Sequence, residues 1–312
     1  MNFGRNLKKC FDRFTKPHKS KIRFLTTKKT GLDGNGYCLE NVRRYDYENF
    51  LATLLLKDSV RSTIAIRAFN VEISRIPYIT SDDKIAAMRL KFWDDAIEKI
   101  FDKNNVQVPD HPVVNELNHI CKSHKMTKQF FKRLISCRNR PRNQGFLTLK
   151  QIEEYAENSV SSVYYLSLEA KGINNVHVDH ACSHLGKSQG IVNLLRSIPQ
   201  LTREQAIPIS QDILIKHGVS QERILRNKKD DKGVEECVFE IATLAHQHLE
   251  KARALLKSLP RDTKPFLLPG VAVQRYLERL RLVKFDLTHQ KLLQRDNTLP
   301  IAYYWNYFRG TF

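Results

Sequence analysis

Three polar side chains recur at helical spacing in residues 185–219, and their types suit the handling of a charged ligand. Gln189, Asn193 and Ser197 follow one another at intervals of four, so a helix would place them on one face. A magnesium–diphosphate site on such a face would also need carboxylates, because Mg²⁺ prefers carboxylate and phosphate oxygens. Here the face ends in Ser197 and Leu201. The segment therefore has the pattern of a diphosphate-handling helix without the acids that a metal requires.

The start of the chain differs in composition from the rest. Residues 1–31 contain ten Lys/Arg and one acid, Asp12, and so carry +9 of the net charge of +19. A basic, acid-poor and amphipathic start is typical of a mitochondrial transit peptide, which we predict for residues 1–35. A basic arm that contacts an anionic membrane or nucleic acid is the alternative. The apolar residues of this segment recur at helical spacing: Phe3, Leu7, Phe11 and Phe14.

Residues 36–312 have the apolar periodicity of helices and no convincing period-two strand. No apolar run approaches the ~18 residues of a membrane span. The six cysteines form no CxxC pair, which indicates free thiols in a reducing compartment. We therefore predict a single all-α domain over 36–312. Caps and helix breakers predict its helices at about 42–56, 59–76, 83–102, 112–123, 127–137, 148–171, 179–196, 208–217, 232–257, 271–282 and 299–308.

Four segments, in this order and spacing, resemble the squalene/phytoene synthase family. The most specific is LGKSQGIVNLLRS at 185–197, followed by the turn IPISQDILIKHGVS at 207–220. The resemblance implies an all-α, isoprenoid-synthase-like single helical domain with a central cavity. It also implies two aspartate-rich motifs on facing helices, which hold Mg²⁺ and a prenyl diphosphate in family enzymes. The other segments are DYENFLATLLLKDSVRSTIAIRAFN at 46–70, MRLKFWDDAI at 88–97 and YAENSVSSVYYLSLEAKGI at 155–173.

The chain departs from the family pattern at both motifs. Ser74 and Tyr78 occupy the places of aspartates in the first motif, and Ser197 and Leu201 do so in the second. Since Ser and Leu cannot replace ionised ligands, we expect no metal, no cofactor, no catalytic residue and no prenyl transfer. The degenerate diphosphate and metal positions are Glu48, Glu72, Ser74, Tyr78, Ser197 and Leu201. The retained positions, which are candidates for the cavity lining, are Tyr164, Tyr165, Gln189, Asn193 and Arg196.

Further stretches resemble the mitochondrial branch of this family. They include RAFNVE at 67–72, HVDHACSHLGKSQGIV at 177–192 and LAHQHLEKAR at 244–253. This resemblance implies a non-catalytic factor for the assembly of mitochondrial respiratory complex I (NADH dehydrogenase), on the matrix side and peripheral to the inner membrane. The implied partners are complex I subunits or other assembly factors. The alternative is a prenyl-diphosphate or lipid-binding protein, or a transferase, of the squalene/phytoene synthase class.

Three further patterns each admit two interpretations. His180 and His184, four residues apart, could ligate zinc, but the sequence guarantees no third ligand, and we favour capping and interface roles. The aromatic residues of 303–308 indicate either packing on the core or contact with a membrane interface. The net charge of residues 32–312 invites a nucleic-acid partner, but no RNA-binding motif with interleaved aromatics is present, and we expect none.

Overall fold

The computed structural model describes residues 34–104, 106–202, 204–226 and 231–312, and these residues form helices and no strand. The all-α prediction is confirmed. The predicted transit peptide, residues 1–35, lies outside the described residues except for its last two. In chain order the α-helices are α1 (Gly34–Tyr45), α2 (Tyr47–Thr53), α3 (Val60–Ile79), α4 (Asp83–Ile100), α5 (Pro112–Ser123), α6 (Lys128–Ser136), α7 (Leu149–Ala156), α8 (Ser162–Lys171), α9 (Val176–Ser197), α10 (Gln211–Lys216), α11 (Gln221–Leu225), α12 (Lys232–Leu255), α13 (Pro269–Leu282), α14 (Gln290–Leu293) and α15 (Leu299–Arg309).

Side-chain caps set helix starts where the sequence predicts them. At the start of α4, the Asp82 carboxylate accepts a hydrogen bond from the Lys84 N–H. At the start of α5, His111 Nδ1 accepts from the Val113 N–H, and Pro112 has no N–H to satisfy. Such caps satisfy backbone donors that the first turn leaves open. Local chemistry therefore explains these boundaries without reference to the rest of the fold.

The prediction that Pro77 ends α3 is wrong, because the helix continues to Ile79. Proline removes an N–H and crowds the preceding turn, so it usually stops a helix. Here the open carbonyl groups find a distant donor. Arg142 donates to the Pro77 oxygen at 2.6 and 3.2 Å and to the Thr80 oxygen at 2.6 Å. A guanidinium from the loop after α6 thus stabilises the last turn of α3.

Other predicted helices differ in their continuity. The predicted helix at 42–56 is divided at Asp46, whose carboxylate is held by Arg67. The predicted helix at 148–171 contains a π-helical segment, Glu157–Ser161, between α7 and α8. Helices α11 and α14 were not predicted, since they are too short to show a clear apolar period.

Helix α9 packs against α12, and also against α7, α8, α13 and the π-helical segment. Two glycines permit the closest of these approaches. A Cβ atom at Gly186 would lie 2.2 Å from Ser161 Oγ, and one at Gly190 would lie 2.5 Å from Ala156 Cβ. Any larger side chain would push α9 away from this neighbour. The glycines in LGKSQG therefore have a packing role.

The core beside α3 is aromatic. The Phe69 ring meets the rings of Trp93 and Phe131 edge to face, with centroids 5.5 and 5.7 Å apart. Such edge-to-face pairs add to the stabilisation from burial alone. None of the helices in the described ranges combines the length and the apolarity needed to cross a bilayer.

Candidate functional site

A cavity of about 660 Å³ lies where the α1–α2 junction, the end of α3, the loop after α6 and the end of α9 meet. Tyr155, Ser159 and Val160 contribute to its wall from α7 and the π-helical segment. π-helical turns occur frequently at functional sites, because they re-aim side chains that a regular helix would place elsewhere. The cavity is therefore the candidate site.

The cavity gathers most of the degenerate positions from both family motifs. Glu72 does not line it. Its carboxylate turns towards α1, where it accepts hydrogen bonds from the Tyr37 hydroxyl at 2.8 Å and from Asn41 Nδ2 at 2.7 Å. The degenerate positions in the lining are Glu48, Ser74, Tyr78, Ser197 and Leu201.

The lining does not fit a magnesium–diphosphate centre. The Ser74 hydroxyl donates to its own helix at the Val71 oxygen, 3.0 Å away, and the Ser197 hydroxyl donates to the Leu194 oxygen at 2.7 Å. Among the described residues that line the cavity, the carboxylates are Asp46 and Glu48. Both are already bound to arginines, so neither offers the free oxygens that Mg²⁺ requires.

A continuous chain of hydrogen bonds runs from behind the cavity wall into it. Arg67 donates to Asp46 Oδ2 at 3.2 Å, and Asn49 Nδ2 donates to Asp46 Oδ1 at 2.6 Å. Gln189 Nε2 donates to Asn49 Oδ1 at 2.9 Å, and the Tyr164 hydroxyl donates to Gln189 Oε1 at 2.6 Å. Both ends of the Gln189 amide are therefore engaged by protein. Tyr164 is buried outside the lining and supports Gln189 from behind.

Glu48 and Arg196 form a second closed pair in the lining. Arg196 donates to the two Glu48 oxygens at 2.6 and 2.9 Å, and its guanidinium lies 4.6 Å from the Tyr276 ring centroid. Burial opposes the charged form of Arg196, but the hydrogen bonds to Glu48 raise the pKa of this guanidinium above its usual range. Burial raises the pKa of the Asp46 carboxyl. We call the following residues the paired set: Asp46, Glu48, Asn49, Gln189 and Arg196.

The other two candidate lining residues separate. Asn193 lines the cavity and is exposed at its edge. Tyr165 lies outside the lining, and its hydroxyl donates to Glu157 Oε1 at 2.6 Å. Burial, together with the Glu157 carboxylate, raises the pKa of the Tyr165 phenol. Tyr165 thus anchors the π-helical segment.

Five arginines in the lining have no carboxylate partner among the described residues. None of the five was predicted as a site residue. A signal for three of them was present, because arginines alternate in the stretch CRNRPRN at 137–143. We call these residues the arginine set: Arg75, Arg138, Arg140, Arg142 and Arg295.

The predicted histidine pair is part of a different cluster. His184 Nδ1 lies 2.9 Å from His248 Nδ1, and His248 Nε2 lies 2.7 Å from Glu153 Oε1. The cap of α9 is Asn175, whose side chain accepts from the N–H groups of residues 177 and 178. Within the described ranges no three His, Cys, Asp or Glu side chains are placed to hold a metal.

The aromatic cluster at the end of the chain is divided between the core and the surface. Tyr303 is 1% exposed and packs inside, in agreement with the core interpretation. Trp305 is 62% exposed and Phe308 67% exposed, with Arg309 beside them. This outer face of α15 therefore keeps the membrane interpretation open.

The family resemblance extends over most of the chain. A family model described as squalene/phytoene synthase matches residues 42–298. The Drosophila melanogaster protein "NADH dehydrogenase (ubiquinone) complex I, assembly factor 6 homolog" is 47% identical, over 88% of this chain and 84% of its own. The Homo sapiens "NADH dehydrogenase (ubiquinone) complex I, assembly factor 6" is 38% identical, over 88% of this chain and 82% of its own.

Solved structures extend the likeness to three dimensions. The crystal structure of a dehydrosqualene synthase in complex with ligand superposes with a TM-score of 0.76. The match covers 88% of this chain and 95% of the synthase chain, at 16% sequence identity. An identity this low supports a shared fold and nothing about chemistry.

Proposed function

The chain belongs to the squalene/phytoene synthase family, in the branch of the complex I assembly factor 6 proteins, and from this premise we propose that it is a non-catalytic factor for the assembly of mitochondrial complex I. The observation that carries the proposal is the 47% identity to a relative named as such an assembly factor, over 88% of this chain. Identity of this extent concerns the surface and the loops as well as the core.

The wall of the cavity supports the non-catalytic part of the proposal. Prenyl transfer in this fold needs Mg²⁺ to neutralise the leaving diphosphate, and Mg²⁺ needs several carboxylate oxygens. The places for those oxygens hold Ser74, Tyr78, Ser197 and Leu201, and Glu48 is bound to Arg196. The protein therefore keeps the scaffold of a synthase while its residues favour no metal-assisted chemistry.

The decisive experiment is removal of the chain from cells that depend on it. We expect less assembled complex I on native gels and lower NADH-dependent respiration, both restored by the intact chain. The variant Ser74→Ala/Ser197→Ala, which removes both hydroxyls with little change in side-chain size, should restore assembly equally well, since among the described residues these hydroxyls bond their own helices. A normal amount of assembled complex I in cells that lack the chain would contradict the proposed role.

A second measurement tests the enzymatic alternative. Purified full-length chain is titrated with Mg²⁺ and farnesyl diphosphate in a calorimeter, and products are sought by mass spectrometry. We expect no magnesium-dependent heat and no coupled prenyl product. Saturable heat that appears only with Mg²⁺ would show that the alternative function is correct.

We further propose that the protein acts on the matrix side and is peripheral to the inner membrane. Two observations support this placement: the transit-like composition of residues 1–35 and the exposed aromatic face of α15. Trp and Phe side chains suit the headgroup layer of a bilayer, and Arg309 suits anionic lipid. Protease protection in intact and opened mitochondria, followed by carbonate extraction, tests both parts of the placement.

The chain has a built-in optical probe for membrane contact. Its two tryptophans are Trp93, which is buried, and Trp305, which is exposed. Vesicles of cardiolipin and phosphatidylcholine should shift Trp305 emission to the blue. Trp305→Ala/Phe308→Ala lacks the probe, so its binding is followed by co-sedimentation with the vesicles. It should weaken by about tenfold, while Ile215→Ala, a change at an exposed apolar residue on α10, should leave binding unchanged.

The proposed partners are complex I subunits or other assembly factors, and we expect no nucleic acid among them. Crosslinking in intact mitochondria, with the crosslinked peptides identified by mass spectrometry, would name them. Crosslinks confined to ribosomal or nucleic-acid-bound proteins would contradict this choice.

A further inference from the structure

A second cavity, of about 590 Å³, lies at the opposite end of the helical body from the first. Glu48 in the first turn of α2 lines the first cavity, whereas Leu55, just beyond the end of that helix, lines the second. In the same way, the π-helical segment before α8 lines the first cavity, and Lys171 at the end of α8 lines the second. The two cavities have no lining residue in common, so the second is separate from the candidate site described above.

The wall of the second cavity carries more positive than negative charge. Its cationic side chains are Lys57, Lys171, Arg261 and Lys264, and its acidic ones are Asp58 and Asp262. Lys171 lies 3.9 Å from the Asp58 carboxylate, whose side chain is 92% exposed, so water screens this pair. Within the described ranges, no hydrogen bond or ion pair engages the side chains of Lys57, Arg261 and Lys264. The surplus cations are therefore available to an anion.

Lys57 is held in a backbone conformation that suits glycine better. Its φ is 52°, in the left-handed region, where the Cβ atom crowds the backbone. Residues other than glycine adopt this conformation at a cost in free energy, and such residues cluster at functional sites. Since the Lys57 side chain binds no other described residue, what a lysine adds at this turn is an ammonium group at the cavity.

Lys264 connects the cavity to the end of α15. Gly310 follows this helix with a φ of 62°, and a Cβ atom built on it would lie 3.5 Å from Lys264 Cδ and 4.0 Å from Lys264 Nζ. The ammonium group thus lies close to the C-terminal end of α15, where open carbonyl groups favour a cation. A positive charge is therefore held beside Phe308, which lines the same cavity.

The exposed apolar side chains of α15 form a stripe that leads to this cavity. Their spacing of three and four residues places them on one face of the helix. They are Ile301, Tyr304, Trp305 and Phe308, which are 42–67% exposed. Such side chains insert at the headgroup layer of a bilayer. A membrane that covers the stripe would therefore bring its headgroups to the basic cavity at the end of it.

The floor of the second cavity is apolar, because Leu56, Phe266 and Leu268 line it and are buried. Cations above an apolar floor match a phospholipid, whose phosphate is charged and whose first acyl carbons are not. A free phosphate ion would leave most of the volume of about 590 Å³ unfilled and the floor uncovered. The shape and charge of the cavity thus favour a membrane lipid over a free anion.

We propose that this cavity binds the headgroup of an anionic phospholipid in the bilayer that α15 contacts, with Lys57, Arg261 and Lys264 facing the phosphate. The inference rests on the peripheral membrane placement proposed above and adds a defined lipid site to it.

Co-sedimentation of the full-length chain tests the proposal with vesicles of phosphatidylcholine alone and of phosphatidylcholine mixed with phosphatidylglycerol. The unchanged chain should bind the mixed vesicles more tightly. Lys57→Gln/Lys264→Gln should weaken that binding by about twentyfold, since each lysine near an anionic surface contributes about fivefold. Its binding to phosphatidylcholine vesicles should not change. The matched control, Lys84→Gln/Lys99→Gln, removes the same charge from exposed positions on α4 and should change affinity by less than about twofold.

Lys57→Gly separates binding from folding. Glycine relieves the strain at a φ of 52°, so the melting temperature should not fall, whereas affinity for the mixed vesicles should fall by about fivefold. Circular dichroism checks that every variant is folded. Equal losses in Lys57→Gln/Lys264→Gln and its control would show diffuse attraction by net charge, which would overturn the proposal, as would full affinity in the cavity variant.

Failure of the lipid site and failure of the membrane placement give different results. If the unchanged chain binds neither kind of vesicle, the placement is wrong and the lipid site with it. If Trp305→Ala/Phe308→Ala loses binding to both kinds while Lys57→Gln/Lys264→Gln binds both as the unchanged chain does, the placement holds and the lipid site alone is wrong.

Discussion

The paired set and the arginine set line one cavity, yet their charges are satisfied in opposite ways. In the paired set, every charged group has an opposite charge within 3.2 Å and every amide is bonded to a neighbouring side chain. In the arginine set, the guanidiniums contact tyrosine rings and carbonyl groups and bind no carboxylate among the described residues. The retained Gln189 is bonded to Asn49 and Tyr164 and so has a structural role, whereas arginines supply the N–H donors that no described residue accepts. Family resemblance and binding capacity therefore lie on different residues.

The largest expected effect comes from removing the arginine that binds Asp46 of the paired set. Arg67→Met leaves the Asp46 carboxylate without its cation, with side chains that are 8% and 19% exposed. Loss of one partner from a buried pair should lower the free energy of unfolding by about 3 kcal/mol. Urea denaturation measures it. Arg43→Met, which opens an exposed pair with Glu40, is the control and should change stability by less than about 0.5 kcal/mol.

A second way to break the paired set is through its backbone support. Gly190→Ala places a Cβ atom 2.5 Å from Ala156 Cβ and 2.8 Å from its Cα. Helix α9 must shift, and Gln189 with it, at a cost of about 2 kcal/mol. Thermal unfolding should show the loss, and Gly172→Ala is an unsuitable control because that glycine has positive φ. Ser188→Ala would serve better, since it removes one buried hydrogen bond without crowding.

Acid sensitivity should come from a cluster outside both sets. Burial, then the charges of His248, His180, Lys187 and Lys251, lower the pKa of His184 to about 4. Between the pKa of an unfolded histidine, near 6.5, and the folded pKa of about 4, the unfolded chain binds a proton that the folded chain does not bind. Stability is therefore full above that window and falls by about 1 to 2 kcal/mol as the pH drops through it. His184→Gln should flatten this part of the stability–pH curve; an unchanged slope would place the acid sensitivity elsewhere.

The Glu48–Arg196 pair is more exposed than the Asp46–Arg67 pair. Glu48→Gln leaves Arg196 without its carboxylate and should cost about 1 kcal/mol, because both side chains are partly exposed and screened. Urea denaturation measures the loss. Glu48→Gln/Arg196→Gln should recover part of it, because no guanidinium is then left without its carboxylate. An unchanged stability in Glu48→Gln would mean that this pair contributes nothing to the fold.

The smallest effect on stability is expected in the arginine set. Arg75→Gln and Arg295→Gln break no ion pair and no hydrogen bond among the described residues, so stability should change by less than about 1 kcal/mol, the usual size of an exposed cation–π contact such as each makes with a tyrosine ring. Differential scanning fluorimetry without ligand is the measurement. A loss well above this value would show that the arginine set is structural, as the paired set is.

Local signals in the sequence were enough for much of the fold. The caps at Asp82 and His111 and the apolar period of α12 depend on neighbours a few residues away, and the structure agrees with them. Pro77 failed as a stop signal because its helix end is satisfied by Arg142, 65 positions along the chain.

The site was harder to predict for the same reason. The spacing of Gln189 and Asn193 placed both correctly on one helix, but nothing local shows that Gln189 is bonded to Asn49 and Tyr164. The partner of Glu48 lies 148 positions away, at Arg196. The alternating arginines of CRNRPRN were visible, yet only the fold brings them to face Arg75 across one cavity.

The π-helical segment Glu157–Ser161 joins α7 and α8 into one helical stretch and sets the angle between their faces. Each residue of an α-helix turns the chain by about 100°, so a wider turn leaves α8 out of phase with α7. A relative without the extra residue must be aligned with this chain through a one-residue gap. Deletion of Asn158 would therefore rotate α8 relative to α7. The helix would become regular, and the Tyr164 hydroxyl would move away from Gln189 although neither of these two residues had been changed.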